Sequence, residues 1–490
     1  MDALSFELPP TANYILNRED VTFFPANGDE FSPTGVKILR FMITGTGRLD
    51  PRSVRIQFKL NNRDAENNFF LINALPQNFF RRVRILCGGT LIEDIDYYNR
   101  VINMLHVLYP AEKRINDAIE GFGYSPAEGP NMYDRHFLNT TGEVPILKRG
   151  MSKVVLFPLM CGLFTQEKYL PLRFLQGLQI ELEVVNQFTD CCLGFVDRAD
   201  FGLELDAVPD NLPDMSTAWT ISEAQIKCSV VELDSQLDNE YTDHLMSGKN
   251  IPVPISSFTH QVQTVGDTDR PTLSMSRAFT RLNKVFITFF KVPYVWTRNR
   301  DTANPNIFPG VKTNELALHK PLRELNYFWH PNHVYDYGTA FWNNFVQPDT
   351  RPFSDRQGRV YLGVNSEVEI QLQIGSKVVP VLPSRSLAEQ FYQLRKAIMG
   401  ENNANTQFNI KDTEYRTYKY INCFDLQKIN GAFASGLSTR TGDLITIKVL
   451  NLVHNDWQRR WPNTYADLLH ATFHHDLVMS ITDAGVTILE

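Results

Sequence analysis

Apolar and polar residues alternate with a period of two along much of this chain. Val54, Ile56, Phe58 and Leu60 are interleaved with Arg55, Gln57 and Lys59, and Val368, Ile370, Leu372 and Ile374 with Glu369, Gln371 and Gln373. Successive side chains of an extended strand point to opposite faces, so each run predicts a half-buried strand. Wound as a helix, the same apolar residues would spread around every side. Further strands are predicted near 36–44, 152–159, 178–185, 224–233, 257–265, 283–291, 416–424, 444–452 and 474–482. They are separated by Gly, Pro, Asn and Asp turns without a regular alternation of helices. That pattern favours an antiparallel sandwich over a parallel sheet.

Helical periodicity is confined to a few places. Tyr98, Val101, Ile102, Leu105 and Leu108 share one face behind Asp96, a candidate N-cap. Leu387, Phe391, Leu394 and Ile398 do the same, and Ser386 with Glu389 has the form of a capping box. A third helix is predicted from Leu233 to a terminating Gly248.

The first two helices each follow a strand, a glycine turn and a second strand. Gly88 and Gly375 mark the two turns, 375 − 88 = 287 positions apart, and GLQIELEV from Gly177 resembles GDLITIKV from Gly442 at 442 − 177 = 265. The landmarks keep their order, with 22 more residues between them in the first half (89 against 67), which the polar stretch 110–150 absorbs as a loop. These matches point to a duplicated sandwich, with domains 1–235 and 236–490 joined near the third helix. The alternative is a chance likeness between β-hairpins.

Composition narrows the classes. At 490 residues the chain exceeds the reach of one core. Apolar residues at 43% and charged residues at 21% are those of a folded globular protein. The net charge of −7, and a single basic residue (Arg18) in the first twenty, argue against a chain that works by neutralising phosphate, so no sequence-specific nucleic-acid partner is expected. A charged start followed by an apolar stretch is absent, and no window approaches eighteen apolar residues, so neither a secretory signal nor a transmembrane segment is expected. The six cysteines contain no C-x-x-C pair and read as reduced, mostly buried thiols of a cytosolic or nuclear setting.

Candidate chemistry is weak at each place it arises. His470, His474 and Asp476 would share a strand face, but a facial triad needs another histidine downstream and none follows, so a surface or interface role is the simpler reading. Glu181 and Glu183 stand ~7 Å apart on one strand. As a pair they suggest a glycosidase, and as alternating residues simply a wet strand face. Glu93, Asp94 and Asp96 precede a helix, where carboxylates cap free N–H groups. Cys87-Gly88-Gly89 lacks the Lys-Ser/Thr of a phosphate loop, and Asn139-Thr140-Thr141 is a sequon without a secretory route. No catalytic, cofactor or metal site is expected, and the chain reads as a non-enzyme. The stretch 292–360 differs in kind. It carries Tyr294, Trp296, Phe308, Tyr327, Phe328, Trp329, Tyr335, Tyr337, Phe341, Trp342 and Phe345 among Pro and Asn, which favours a subunit contact over a lid on its own domain.

Two fused sandwiches, AQIKCSVVELDSQLDNEYTDHL from Ala224 to Leu245 and VRILCGGTLIEDIDYYNRVINML from Val83 to Leu105 resemble the double jelly-roll major capsid proteins of icosahedral double-stranded DNA viruses, particularly the polinton-like virus and virophage members. The resemblance covers nearly the whole chain through loose motifs, and the longer aromatic insertion departs from the giant-virus pattern. It implies an all-β fold of two tandem antiparallel eight-stranded jelly rolls with short helices and long loops. It also implies a homotrimeric, pseudo-hexameric capsomer, contacts with penton and minor capsid or cement proteins, and residence in the virion after assembly in the host cytoplasm or nucleus. Rival readings are a carbohydrate-binding or carbohydrate-active double sandwich and a viral fibre.

Overall fold

A computed structural model of the chain describes residues 14–65, 68–71, 75–123, 146–186, 191–195, 214–215, 218–265, 270–290, 328, 331, 353–354, 360–361, 368–399, 410, 415, 419–439, 443–452 and 468–489. Eight strands of the first half build two facing sheets: β1 (Ile15–Phe23), β2 (Ile38–Ile43), β3 (Arg55–Asn62), β4 (Phe80–Cys87), β5 (Thr90–Ile95), β6 (Ser152–Pro158), β7 (Leu178–Val184) and β8 (Trp219–Leu233). One sheet runs β1-β8-β3-β6 and the other β2-β7-β4-β5, all antiparallel. The second half supplies β9 (Ile251–Thr264), β10 (Thr272–Met275), β11 (Leu282–Phe290), β12 (Glu369–Ile374), β13 (Lys377–Ser384), β14 (Asn422–Asp425), β15 (Ile445–Leu450) and β16 (Leu468–Thr482). Its sheets run β9-β16-β11-β14 and β10-β15-β12-β13. Adding eight to every label of the first half reproduces the second, so both halves are the same jelly roll. A final strand, β17 (Gly485–Leu489), pairs with the end of β16.

The alternation decides what is inside. Ile56, Phe58 and Leu60 of β3 are buried while Arg55, Gln57 and Lys59 are half-buried, and Ile370, Leu372 and Ile374 of β12 repeat the arrangement. Phe58 sits at the centre of the first core, meeting Phe79, Phe80 and Phe157 edge-on with ring centroids 5.6–6.2 Å apart. Phe279, Phe289, Tyr415, Tyr420 and Phe473 are among the rings of the second.

The glycine turns are equivalent in detail. Gly88 and Gly375 have φ of +54° and +56°, a left-handed backbone that suits a residue without a side chain. Each donates its N–H to the residue before the neighbouring strand, Gly88 to Gly177 O at 3.2 Å and Gly375 to Leu444 O at 3.3 Å. The ladders correct the second landmark. Cys87 pairs with Leu178 and Ile374 with Ile445, so the equivalent spacing is 445 − 178 = 267, two more than the letter match of 265. A slip of two conserves the face of every side chain, which is why the sequence could not see it.

Helix α1 (Tyr98–Leu108) follows β5, and α5 (Leu387–Met399) follows β13. Half of the expected α5 capping box forms, with Ser386 Oγ accepting Glu389 N–H at 3.1 Å, while Glu389 Oε2 accepts the N–H of Arg385, one residue before the cap, at 3.1 Å. At α1 the N-cap is Tyr97, in a left-handed conformation, and Asp96 accepts the Tyr97 N–H instead of capping the helix. Part of the expected 110–150 loop is helix α2 (Ala111–Glu120), whose Lys113 and Asp117 pair at 2.7 Å across one turn. The third expected helix is present, after the short α3 (Gly162–Thr165), as α4 (Ser235–Met246). It is tied to the first jelly roll by Arg48, which bonds Asp238 at 3.2 Å and covers the Tyr241 ring at 4.0 Å. No helix among the described residues is long and apolar enough to cross a membrane.

Because Phe58 touches three other rings, Phe58→Ala is expected to cost ~3–5 kcal/mol, read as a lower midpoint in urea unfolding.

Candidate functional site

The two jelly rolls meet along a seam where β5 packs against β9 and β17, and where α3 packs against β9. The cores interlock there. Val253, Ile255, Leu477, Met479 and Ile481 of the second half join the first core, while Met104 and Leu108 of α1 join the second. Gly162 makes the approach possible, since a Cβ at that position would overlap the Ser256 carbonyl and the Ile255 side chain.

Polar groups are buried in this seam. Glu93 accepts hydrogen bonds from Gly162 N (2.8 Å), Leu163 N (2.5 Å) and Ser257 Oγ (2.6 Å), so one carboxylate of the first jelly roll binds a hydroxyl of the second. Burial raises its pKa and the three donors oppose that rise. The expectation that these carboxylates cap N–H groups holds for Glu93 at a different helix, α3 instead of α1. Asp94 forms a two-pronged pair with Arg82 (2.6 and 2.7 Å), and Asp96 pairs with Arg81 at 3.4 Å.

Three residues beyond Ser257 on β9, His260 pairs with His470 of β16. His260 Nε2 stands 2.8 Å from His470 Nδ1, and His260 Nδ1 stands 2.8 Å from Thr472 Oγ1. Tyr97 of the first jelly roll packs on both rings at 5.4 and 5.7 Å, and Arg100 covers Phe290, which itself touches His470. Of the remaining expected metal candidates, Asp476 is held by two donors, while His474 keeps a buried Nδ1 without a hydrogen-bond partner among the described residues. Asp476 accepts from Ser256 Oγ (2.6 Å) and Ala434 N (2.8 Å), His474 stacks on Phe258, and His475 meets Thr259 and Phe279. Among the described residues no three His, Cys, Asp or Glu are grouped to hold a metal.

Glu181 corrects the exposed-face expectation. It is buried, with Oε1 bonded by Arg40 Nε (2.9 Å) and Gln179 Nε2 (2.8 Å), and Oε2 paired with Arg84 at 2.6 Å. Arginines from the neighbouring strands β2 and β4 cover it, a cross-strand pairing that alternation alone does not reveal. All six cysteines are buried, none in a disulfide, and burial pushes the Cys87 thiol up to about 12. The sequon at Asn139 lies outside the described residues, and so does the stretch 292–360 apart from 328, 331, 353–354 and 360; there Phe328 is buried and its carbonyl accepts Tyr420 N–H at 2.8 Å.

The seam makes stability depend on pH. Burial holds His260 and His475 at about 3 and His474 at about 4, and pushes His470 well below the usual 6.5, with Arg100, Arg277 and Lys284 adding to the effect and Asp476 opposing it. A group whose folded pKa is depressed binds its proton mainly in the unfolded chain, so stability is lost as pH falls from about 6.5 toward 4, at ~1.4 kcal/mol per pH unit for each ring. Glu93 and Asp425, both raised by burial, work in the opposite direction, while His106, held at about 3 by burial, adds a fifth ring to the four. Thermal unfolding followed from pH 7 to 4.5 is expected to show a steep fall in Tm, shallower in His260→Gln. Gly162→Ala is expected to cost ~1–3 kcal/mol through forced separation of α3 from β9, measured in the same way at pH 7.

No family model and no curated protein sequence matches the chain. Solved structures do. The chain superposes on PBCV-1 VP54, as fitted into a reconstruction of the virophage Sputnik, with a TM-score of 0.57 at 11% identity over 99% of both chains. It superposes on the Sputnik virophage structure with a TM-score of 0.57 at 10% identity, covering 100% of this chain and 91% of that one. For the Faustovirus major capsid protein the TM-score is 0.50 at 9% identity, covering 99% and 92%. With strand order, duplication and full-length superposition in agreement, the fold of this chain is the double jelly roll found in viral major capsid proteins.

Proposed function

We propose that the chain is a major capsid protein, a structural and non-enzymatic subunit. In this reading three copies form a pseudo-hexameric capsomer, and capsomers tile an icosahedral virion shell together with penton and minor capsid or cement proteins. The observation that carries the proposal is the repetition of one jelly roll, strand for strand, in a chain that packs its two copies edge to edge. A ring of six similar barrels needs such a side-by-side contact, repeated within and between chains. Full-length likeness to capsid proteins supports it, and so does the chemistry of the seam. There Glu93 and the histidines bind other protein groups in the dry interior, as structural polar groups do. In this proposal the two jelly rolls divide at 235/236, next to the first residue of α4, and the aromatic stretch 292–360 is a further subunit contact.

The test is the mass and outline of the purified protein. Light scattering behind size exclusion is expected to give three times the chain mass, and negative-stain images hexagonal plates. A chain that stays monomeric at high concentration, or images of spikes, would overturn the proposal.

A further inference from the structure

The internal repeat provides a template for where one copy meets the next. In the first jelly roll the outer strand β5 carries a small bulge: Ile85 pairs with Glu93 and Leu86 with Leu91, leaving Ile92 as the extra residue. Ile92 is only 4% exposed, because this edge packs on β9 and β17 of the second jelly roll. The corresponding edge of the second jelly roll is β13. It too bulges, at nearly the same place and further: Leu372 pairs with Val379 and Ile370 with Ser384, so Pro380, Val381, Leu382 and Pro383 all stand opposite Gln371. This bulge is uncovered, with Val381 84% and Leu382 74% exposed.

It is also built. Gln371 Nε2 donates to the carbonyls of both Pro380 and Val381 at 3.1 Å, and the two prolines restrict the backbone on either side. Two large apolar side chains held outward on a braced strand edge are unusual on an uncovered surface, since exposed edges are generally blunted with charge.

We infer that the Pro380–Pro383 bulge of β13 docks against the β1–β8 edge of a second copy of this chain, repeating between chains the contact that β5 makes with the outer strand β9 within one. The receiving strands are equivalent by topology. β1 is the outer strand beside β8 as β9 is beside β16, and it presents exposed Leu16 (66%) within the strand and Phe24 (68%) just beyond it. The contact is head to tail, with different surfaces on the two partners, so it propagates around a ring and closes when the rotation allows. The inference rests on the proposed role as a self-assembling subunit and assigns that assembly a surface.

The test uses the full chain in three forms: unaltered, Val381→Asp/Leu382→Asp, and Leu16→Asp/Phe24→Asp. Substituted side chains already in solvent should leave the fold intact, checked by an unchanged Tm and circular dichroism. The expected result is an oligomer for the unaltered chain, a monomer for each variant, and a species of twice the chain mass when the two variants are mixed, because one intact knob then meets one intact receiving edge. Either variant keeping the oligomeric mass of the unaltered chain would overturn this docking surface while leaving the capsid reading standing, and so would a mixture that stays monomeric. An unaltered chain that is itself monomeric would bring down both.

Discussion

The constraint on which the molecule turns is the burial of a carboxylate between its two halves. Glu93 leaves water at a cost of several kcal/mol for a charged group, and that cost is offset only if its oxygens meet donors in good geometry. The donors come from two directions, the backbone of α3 and the hydroxyl of Ser257. Neither half satisfies the group alone. The close approach at Gly162 and the interlocked cores serve the same requirement that the carboxylate's surroundings be closed, and the histidine pair under Tyr97 meets it in part, since His470 Nε2 is buried without a hydrogen-bond partner among the described residues. If both His260 and His470 carried full protonation, two N–H donors would face each other 2.8 Å apart, so the pair accommodates neutral rings and resists charged ones.

Much of this was legible in the sequence, and the boundary of legibility has a physical form. Period-two alternation identified the strands because it reports which face is buried, and the glycine turns identified the repeat because a left-handed backbone at Gly88 and Gly375 limits the choice of residue. Alternation says nothing about what lies across a strand, which is why Glu181 looked exposed until Arg40 and Arg84 were seen beside it. It says as little about long-range partners. Glu93 was recognised as a capping residue, but the helix it serves begins 69 residues later and depends on the docking of β9. The histidines of β16 were assigned to a surface or interface, and His470 does face the other jelly roll through Tyr97. Its partner His260 gave no signal, since a lone histidine in a β-strand has no pattern to betray it.

The duplication sets the two halves different tasks. The hairpin β4–β5 and the hairpin β12–β13 are the same structure, with the same glycine donating the same hydrogen bond, yet one edge carries a buried glutamate and the other a proline-flanked apolar bulge. Selection for folding alone would preserve the cores and leave these edges free to drift toward charge. Instead the first edge acquired groups that can be buried permanently, matched atom for atom within one chain. The second holds its apolar side chains outward on a braced backbone. The difference follows from when each surface loses its water: during folding for β5, and only on meeting something else for β13.

The polar character of the seam also answers a problem that strands create for any repeated contact. An apolar strand edge can slide along its neighbour by two residues and present the same face, at little cost in buried area. The letter match between the halves of this chain fell into that degeneracy, settling two residues from the register that the ladders define. A physical interface faces the same ambiguity, and dispersion forces cannot resolve it. Glu93 can. Shifted by two positions, about 7 Å along the strand, its carboxylate would leave Ser257 and the N–H groups of α3 behind and remain buried without partners, an outcome that costs more than the slip could return in apolar contact. The buried carboxylate therefore contributes register more than stability, and two barrels joined along a strand edge have use for a group that permits a single alignment.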